Sequence, residues 1–334
     1  MVRAAWKKLL SDTSIQRSSQ TLSVIGANAF VYGGELRPRE PVDSAVYRIS
    51  IDSGGASKNG ISTITGIPIS PPPRVGSASI TLGGKIYIFS GRGGTAMAPI
   101  EEEGAFWVFD PSTGGGEWSR IQPADSQTPH PVGRSYHSLT SDGKETIFLH
   151  AGCPEKGRLR DLWAFDVTLG KWTELPQAPG TERGGTSIAY AGGKIYRVNG
   201  FDGKTEQGGA LDVFDVADKT WKTIEYSADG ANGPSPRSVG CLLALDVNGK
   251  PSLVTMFGEH DPSSLGHQGA GKMLADVWVF DIESQKWAKV AVEGEGPPSR
   301  GWFDADVLEG SRIVVHGGLA ESNERLGDLW LLEF

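Results

Sequence analysis

Cysteine, long apolar segments and clustered basic residues are all scarce in this sequence. The two cysteines, Cys153 and Cys241, are too few for a disulfide framework. We expect both to stay reduced, because they occupy non-equivalent positions in the repeat described below. No stretch is long and apolar enough for a membrane span or a secretory leader. The sequence therefore predicts a cytoplasmic protein without membrane association.

Basic residues are outnumbered and dispersed. The chain has 32 Lys and Arg against 40 Asp and Glu, a formal net charge of −8, and no basic run. Nucleic-acid and phospholipid surfaces are therefore not expected. The longest acidic run, Glu101, Glu102 and Glu103, is interpreted as the solvated tip of a loop.

Turn-forming and aromatic residues are plentiful instead. The chain contains 46 Gly, 20 Pro and 10 Trp in 334 residues, and this glycine content is about twice the average usage. Frequent Gly and Pro predict many short elements separated by turns. The aromatic residues provide large side chains for a packed core.

A unit of four predicted strands recurs along the chain. An aromatic-rich strand ending in Asp is its clearest part. Copies occupy residues 106–110, 161–166, 211–215 and 276–281, with variants at 44–49 and 328–333. A Trp strand follows in most units, beginning near Trp118, Trp172, Trp221 and Trp287.

Two further features precede each Asp-ended strand. One is an apolar strand that ends in Gly, and the other is an Arg at the start of the strand before it. The Gly-ended strands occupy residues 29–34, 86–91, 147–152, 195–200, 253–258 and 313–318. The arginines are Arg17, Arg74, Arg134, Arg183, Arg237 and Arg300. We interpret them as architectural residues that bond neighbouring units.

Six units of four strands, spaced by about fifty residues, match the kelch pattern. The predicted fold is an all-β, six-bladed kelch β-propeller formed by residues 1–334 as a single domain. The last unit lacks its fourth strand, and residues 5–9, which include Trp6, have the pattern of a Trp strand. The N-terminal strand is therefore predicted to close the last blade, which removes an open sheet edge.

Strand alternation predicts which loops share a face. With strands lettered a to d in each blade, loops b–c and d–a leave one face of the ring and hairpins a–b and c–d leave the other. Two long b–c loops, residues 92–104 and 259–274, lie on the first face. Because long loops without regular structure are often functional, the site is predicted on this rim.

The long loop of the fifth unit contains potential metal ligands. Glu259, His260, Asp261 and His267 fall within nine residues, and imidazole with carboxylate suits iron(II) or zinc. The alternative is a polar loop in which Asp261-Pro262 begins a turn. The spacing leaves both interpretations open.

The same loop resembles that of a known family. Glu259, His267 eight residues later and residues 269–271 (Gly-Ala-Gly) are similar to the matching loop of the plant specifier proteins. These kelch propellers are the nitrile-specifier, epithiospecifier and thiocyanate-forming proteins. The sixth unit is similar as well, at residues 297–302, 316–318 and 323–328.

The resemblance implies a cup that holds iron(II) and a small-molecule substrate. The family places Glu, Asp and His at spacings of four, so Glu259 and His267 match the outer ligands. The middle position is Ser263, which leaves Asp261 or His260 as a substitute ligand and implies weakly held iron. The family's other site residues correspond to Arg92, Tyr136 (where Phe is usual) and Trp302.

Roles for these three residues have alternatives. Arg92 can bind an anionic group through its planar fork or stabilise a loop through an ion pair. Trp302 can form a pocket wall or pack between blades. His137 and His150 are interpreted as packing residues on strands.

Two functions remain open from the sequence. One is a small-molecule enzyme, an iron-assisted lyase or isomerase, as the resemblance implies. The other is a protein-interaction module without catalytic activity that uses the same rim for a partner. Fold alone cannot decide between them.

Overall fold

The computed structural model describes residues 2–51 and 60–334, with the exception of the His267 side chain. Alternating apolar positions and closely spaced turn residues make short strands the dominant element. The described part contains no α-helix, and its helical turns are the 3₁₀ helices Thr13–Ile15 and Gly266–Gln268. Neither of these helices could cross a membrane.

The strands form six antiparallel blades, each built from four main strands in the order a to d. Blades 1 to 3 comprise Ser18–Ile25, Asn28–Arg37, Val46–Ser50 and Ile61–Ile64; Ala78–Leu82, Lys85–Phe89, Phe106–Asp110 and Glu117–Ile121; and Ser138–Ser141, Thr146–Gly152, Leu159–Asp166 and Lys171–Leu175. Blades 4 to 6 comprise Ser187–Ala191, Lys194–Val198, Ala210–Asp215 and Thr220–Glu225; Cys241–Val247, Lys250–Met256, Val277–Asp281 and Lys286–Lys289; and Asp304–Leu308, Arg312–His316, Asp328–Glu333 and Arg3–Ser11. The predicted six-bladed propeller is confirmed.

Additional strands of two or three residues extend the blades or lie in their loops. Glu40–Pro41 extends blade 1, and Ala291–Glu293 pairs in parallel with Arg3–Ser11. Three small ladders lie in or beside the b–c loops. They are Arg92–Gly93 with Ala98–Pro99, Glu259–His260 with Lys272–Met273, and Arg300–Gly301 with Leu319–Ala320.

The N-terminal strand closes the ring as predicted. Arg3–Ser11 pairs antiparallel with Asp328–Glu333, with Trp6 opposite Leu332. The Trp6 ring also stacks on Phe257 of blade 5, with 5.7 Å between centroids. The first strand of the chain is thus strand d of the last blade, and it connects that blade to its neighbour.

Each Trp of strand d packs against the preceding blade. The Trp172 ring lies 5.5 Å from that of Phe106, and its indole N–H donates to the carbonyl of Gly104 at 2.8 Å. Trp118 and Trp287 contact Tyr32 and Tyr226 in the same way. The aromatic repeat therefore forms the core between the blades.

Glycine is required at the end of each strand b for steric reasons. Each of these glycines adopts a left-handed backbone, with φ between 92° and 111°. A Cβ on Gly34 or Gly258 would lie 2.7 Å from a backbone carbonyl oxygen. The N–H of each also donates to the carbonyl of the repeated Arg in the next blade, as from Gly91 to Arg134 at 2.8 Å. A side chain there would clash with the start of strand a of the same blade.

Each repeated Arg bonds to its own blade through its side chain and to the preceding blade through its backbone carbonyl. These side chains are buried, and each Nη1 donates to the residue before the terminal Gly of its own blade, as from Arg237 to the Phe257 carbonyl at 3.1 Å. Backbone carbonyls make the bonds to the preceding blade. The arginines are architectural, but it is the backbone that reaches the neighbouring blade.

Carboxylates balance most of these buried charges. Arg134, Arg237 and Arg300 pair with the Asp that precedes strand c or lies at its start, and Arg300 pairs with Asp328 at 2.7 Å. In blade 2 this partner is Glu102, which accepts from Arg74 and from the Trp107 indole. The interpretation of Glu102 as part of a solvated loop tip was wrong, because it neutralises a buried guanidinium.

Candidate functional site

A cup opens on the rim that carries the b–c and d–a loops. Its cavity measures about 500 Å³, within the size range of small-molecule sites. Four of the six predicted site residues line it: Arg92, Tyr136, Glu259 and Trp302. They come from different blades, so they converge only because the ring closes.

Arg92 is held by carbonyl and hydroxyl groups of two loops. It follows strand b of blade 2, and its Nε donates to Ser135 Oγ at 2.8 Å. Its terminal nitrogens donate to the carbonyls of Met97 at 3.1 Å and Pro154 at 2.7 Å. No carboxylate pairs with it among the described residues, so a loop-stabilising ion pair is not its role there. Its positive charge faces the cup without a neutralising partner.

Tyr136 and Trp302 form part of the floor. Each lies two residues after a repeated Arg and has a left-handed backbone, with φ of 53° and 50°. Burial raises the pKa of Tyr136 to about 12, while a hydrogen bond with the Ser19 side chain opposes this shift. The phenol therefore stays neutral at physiological pH.

Glu259 is a buried carboxyl at the edge of the cup. Its side chain accepts from the Gly271 N–H at 2.9 Å, and a Cβ on Gly271 would lie 2.5 Å from the same oxygen. Burial, with the nearby Glu206 carboxylate, raises the pKa of Glu259 to about 7, against the opposing effect of the N–H groups of Gly271 and Ser263. The absence of a side chain at Gly271 thus leaves the room that this carboxyl occupies.

Asp261, another predicted ligand, is not brought together with Glu259. Asp261 is exposed and lies 3.4 Å from Lys272 and 3.6 Å from His260. The backbone of His267 belongs to the 3₁₀ helix Gly266–Gln268, and its side chain lies outside the described part. Among the described residues, no three His, Cys, Asp or Glu side chains are placed to hold a metal ion. Those residues alone do not form an iron site.

Sequence reasoning missed two residues of the cup, Arg158 and Phe201. The Arg158 guanidinium lies 4.9 Å from the centre of the Phe201 ring, and both residues line the cavity. No ion pair to Arg158 forms within the described part, and its Nε is buried without a hydrogen-bond partner. Both residues lie in b–c loops. Strand alternation could therefore have indicated that they lie on the rim of the cup, but not that their side chains point into it.

Known proteins resemble the chain over most of its length. An N-(sulfonatooxy)prop-2-enimidothioate sulfolyase of Thlaspi arvense is 28% identical, over 94% of this chain and 91% of the relative. A putative adagio-like protein 2 of Oryza sativa subsp. japonica is 24% identical over 98% of this chain. The match covers 49% of that relative, so the chain spans about half of its length.

A solved structure and a family model agree with the architecture. The structure of YjhT matches with a TM-score of 0.72 at 16% identity, over 96% of both chains, which shows a shared fold. The model described as the KLHDC2/KLHL20/DRC7 Kelch-repeats domain matches residues 19–258, from strand a of blade 1 to the end of strand b of blade 5. The chain belongs to this kelch-repeat family.

Proposed function

We propose that the cup binds a small organic anion and that the protein is a lyase or isomerase acting on it. The observation that carries this proposal is the pair Arg92 and Arg158, which line one cavity and make no ion pair among the described residues. Guanidinium groups suit sulfate and carboxylate groups because of their planar forks. Two guanidinium groups without a carboxylate at ion-pair distance favour an anionic ligand in this recess, which Glu35, Glu155 and Glu259 also line.

The proposed substrate class is a sulfate ester or a related sulfonated molecule. The name of the Thlaspi relative contains a sulfonatooxy group and a sulfolyase activity, and the cup has the charge to hold such a group. Arginine also stabilises an anionic leaving group as its charge develops. Glu259, with a pKa near 7, can exchange a proton near neutral pH.

Calorimetry with butyl sulfate tests this proposal. Arg158→Ala is the informative variant, because the guanidinium of Arg158 stacks on Phe201 and its Nε has no hydrogen-bond partner. We expect at least a tenfold weaker affinity, which corresponds to about 1.4 kcal/mol. Arg48→Ala is the matched control, since Arg48 is exposed on strand c of blade 1 and bonds to Asn28. Equal affinity for Arg158→Ala and the parent would contradict the proposal.

The iron(II) site is a separate prediction. Glu259 and His267 are its expected ligands, and Asp261 would have to turn away from Lys272 to join them. We expect weak binding that Glu259→Ala abolishes and Trp302→Ala leaves unchanged. Metal analysis of protein purified without chelators or a metal-binding tag, followed by iron(II) titration, measures this. Iron retained by Glu259→Ala would exclude Glu259 as a ligand.

The interaction-module alternative predicts different behaviour. Adagio-like relatives are longer than this chain, so in them the region that matches this chain is a part of a larger protein. If this chain has that role, butyl sulfate should bind neither the parent nor Arg158→Ala. The calorimetric experiment therefore separates the two functions.

A further inference from the structure

A closed ring of backbone hydrogen bonds lies beneath the cup. Its members are the residues two positions after each repeated Arg, and all have a left-handed backbone with φ between 48° and 62°. Each N–H donates to the carbonyl of the member in the preceding blade, at 2.7 to 3.1 Å. We call this ring the girdle; it consists of Ser19, Gly76, Tyr136, Gly185, Val239 and Trp302. A left-handed backbone is strained for a β-branched residue such as Val239. The ring therefore holds Val239 in an unfavourable conformation.

The girdle separates the cup from a second cavity, the central channel. The channel has a volume of about 180 Å³, and all members of the girdle line it. Tyr136, Gly185, Val239 and Trp302 line the cup as well. The two cavities therefore meet at the girdle.

Tyr136 covers part of this boundary. A Cβ on Gly76 would lie 3.0 Å from a carbon of the Tyr136 ring, so the ring rests against the glycine of the neighbouring blade. Its hydroxyl interacts with Ser19, one blade further. The side chain thus extends from blade 3 past blade 2 to blade 1. The absence of a side chain at Gly76 is what permits this position.

The two cavities differ in their cationic groups. Arg92, Arg158 and Arg39 line the cup, together with Glu35, Glu155 and Glu259. The channel is lined by residues with hydroxyl groups such as Ser138 and Ser187, by Cys241, and by Asp304 and Asp306, and none of the described residues that line it is Lys or Arg. Of the two cavities, only the cup therefore offers guanidinium groups to an anionic group.

We propose that the channel is a second ligand compartment, which takes the uncharged chain of a ligand whose anionic end lies in the cup, and that Tyr136 is the plug that this chain displaces on entering. The inference rests on the proposed function for the anionic end. The plug itself follows from the girdle geometry. A short aliphatic or hydroxylated chain matches the mixed hydroxyl and apolar lining of the channel.

Thiol labelling tests the plug, because Cys241 lines the channel and is buried. Cys153 lines the cup, so the measurements use a Cys153→Ser background. Tyr136→Gly is compatible with the backbone, since Gly76 and Gly185 occupy equivalent girdle positions. We expect N-ethylmaleimide to modify Cys241 at least tenfold faster in Tyr136→Gly than in the parent. Mass spectrometry measures the rate.

Val239→Gly is the matched control. It also replaces a left-handed girdle residue by glycine, and it leaves Tyr136 in place. We expect a labelling rate within twofold of the parent. Equal acceleration in both variants would indicate a loosened girdle and would overturn the plug, as would an unchanged rate in Tyr136→Gly.

Ligand protection tests the compartment. In Cys153→Ser with Tyr136→Gly, we expect butyl sulfate to slow Cys241 labelling at least fivefold and inorganic sulfate to have no effect. Equal protection by both, or by neither when calorimetry shows that butyl sulfate binds, would overturn the second compartment. If calorimetry detects no binding of either anion, the proposed function fails and the compartment for its ligand fails with it, whereas the labelling rates still decide the plug.

Discussion

At the scale of single residues, each repeated Arg bonds to different partners through its backbone carbonyl and through its buried guanidinium group. A repeated Arg uses its side chain within its own blade and its carbonyl towards the preceding one. Its guanidinium is neutralised by an Asp or Glu in four blades, as by Asp276 in blade 5. Removing such a partner would leave a buried charge uncompensated, which is costly.

Asp304 and Asp306 link the inner strands of the last and first blades. Asp304 accepts from the Leu22 N–H at 2.6 Å, and Asp306 accepts from the Val24 N–H at 2.7 Å. Burial raises the pKa of Asp304 to about 7 and that of Asp306 to about 6, against an ordinary value of 3.8. The mutual repulsion of the two carboxylates contributes to the Asp304 shift.

We predict a pH dependence of stability from this pair. The folded state holds these protons more tightly than the unfolded state, so the stabilisation present below pH 3.8 is lost as the pH rises through 6 and 7. Between pH 5 and 8 the pair should lower the free energy of unfolding by roughly 1 to 3 kcal/mol. Urea unfolding at several pH values measures it.

Asp304→Asn isolates the contribution of this carboxyl. The variant should show a smaller fall in unfolding free energy over the same pH range, because the amide does not titrate. Glu174→Gln, at an exposed position on strand d of blade 3, controls for net charge and should keep the parent slope. An identical slope in Asp304→Asn would show that Asp304 does not ionise in this range.

At the scale of elements, the N-terminal strand is the closing element of the ring. It is hydrogen-bonded on both sides, to Asp328–Glu333 and to Ala291–Glu293. Trp6 places its ring between Phe257 and Trp330, at centroid distances of 5.7 and 6.4 Å. Without this strand, Asp328–Glu333 would be an open outer edge of blade 6.

We predict that deletion of residues 1–10 is strongly destabilising. Trp6 is partly buried, so the loss of its contacts alone should cost less than the roughly 3 to 5 kcal/mol that is usual for removing a large buried aromatic. Thermal unfolding followed by circular dichroism measures this. Trp6→Ala in the full chain distinguishes the aromatic contacts from the strand pairing and should give a smaller decrease. An unchanged midpoint in the truncated chain would contradict the closure.

At the scale of the whole molecule, the closure of six blades into a ring creates both the cup and the central channel. The girdle bonds form a complete cycle through the boundary between blades 6 and 1, where Ser19 N–H donates to the Trp302 carbonyl at 2.8 Å. Loops from several blades then meet above this cycle to form the cup. The proposed ligand would therefore contact parts of the chain that are separated by more than a hundred residues in sequence.

Much of this arrangement could be predicted from the sequence. The periodic Arg, Gly, Asp and Trp positions determine the strands and their number, because each residue type satisfies a local steric or polar requirement that recurs in every blade. The terminal Trp pattern also determined the closure. Strand alternation put Arg92, Tyr136, Glu259 and Trp302 on one face, where the structure has them line one cup.

Only the tertiary structure decided where individual side chains point within that framework. Glu102 turns inward because the Arg74 guanidinium is buried beside it, and Asp261 turns outward to Lys272. Arg158 enters the cup because its loop brings it over Phe201 of the next blade. Repeats specify strands through local sterics, whereas loop side chains take their direction from contacts with other blades, and those contacts exist only after the ring has closed.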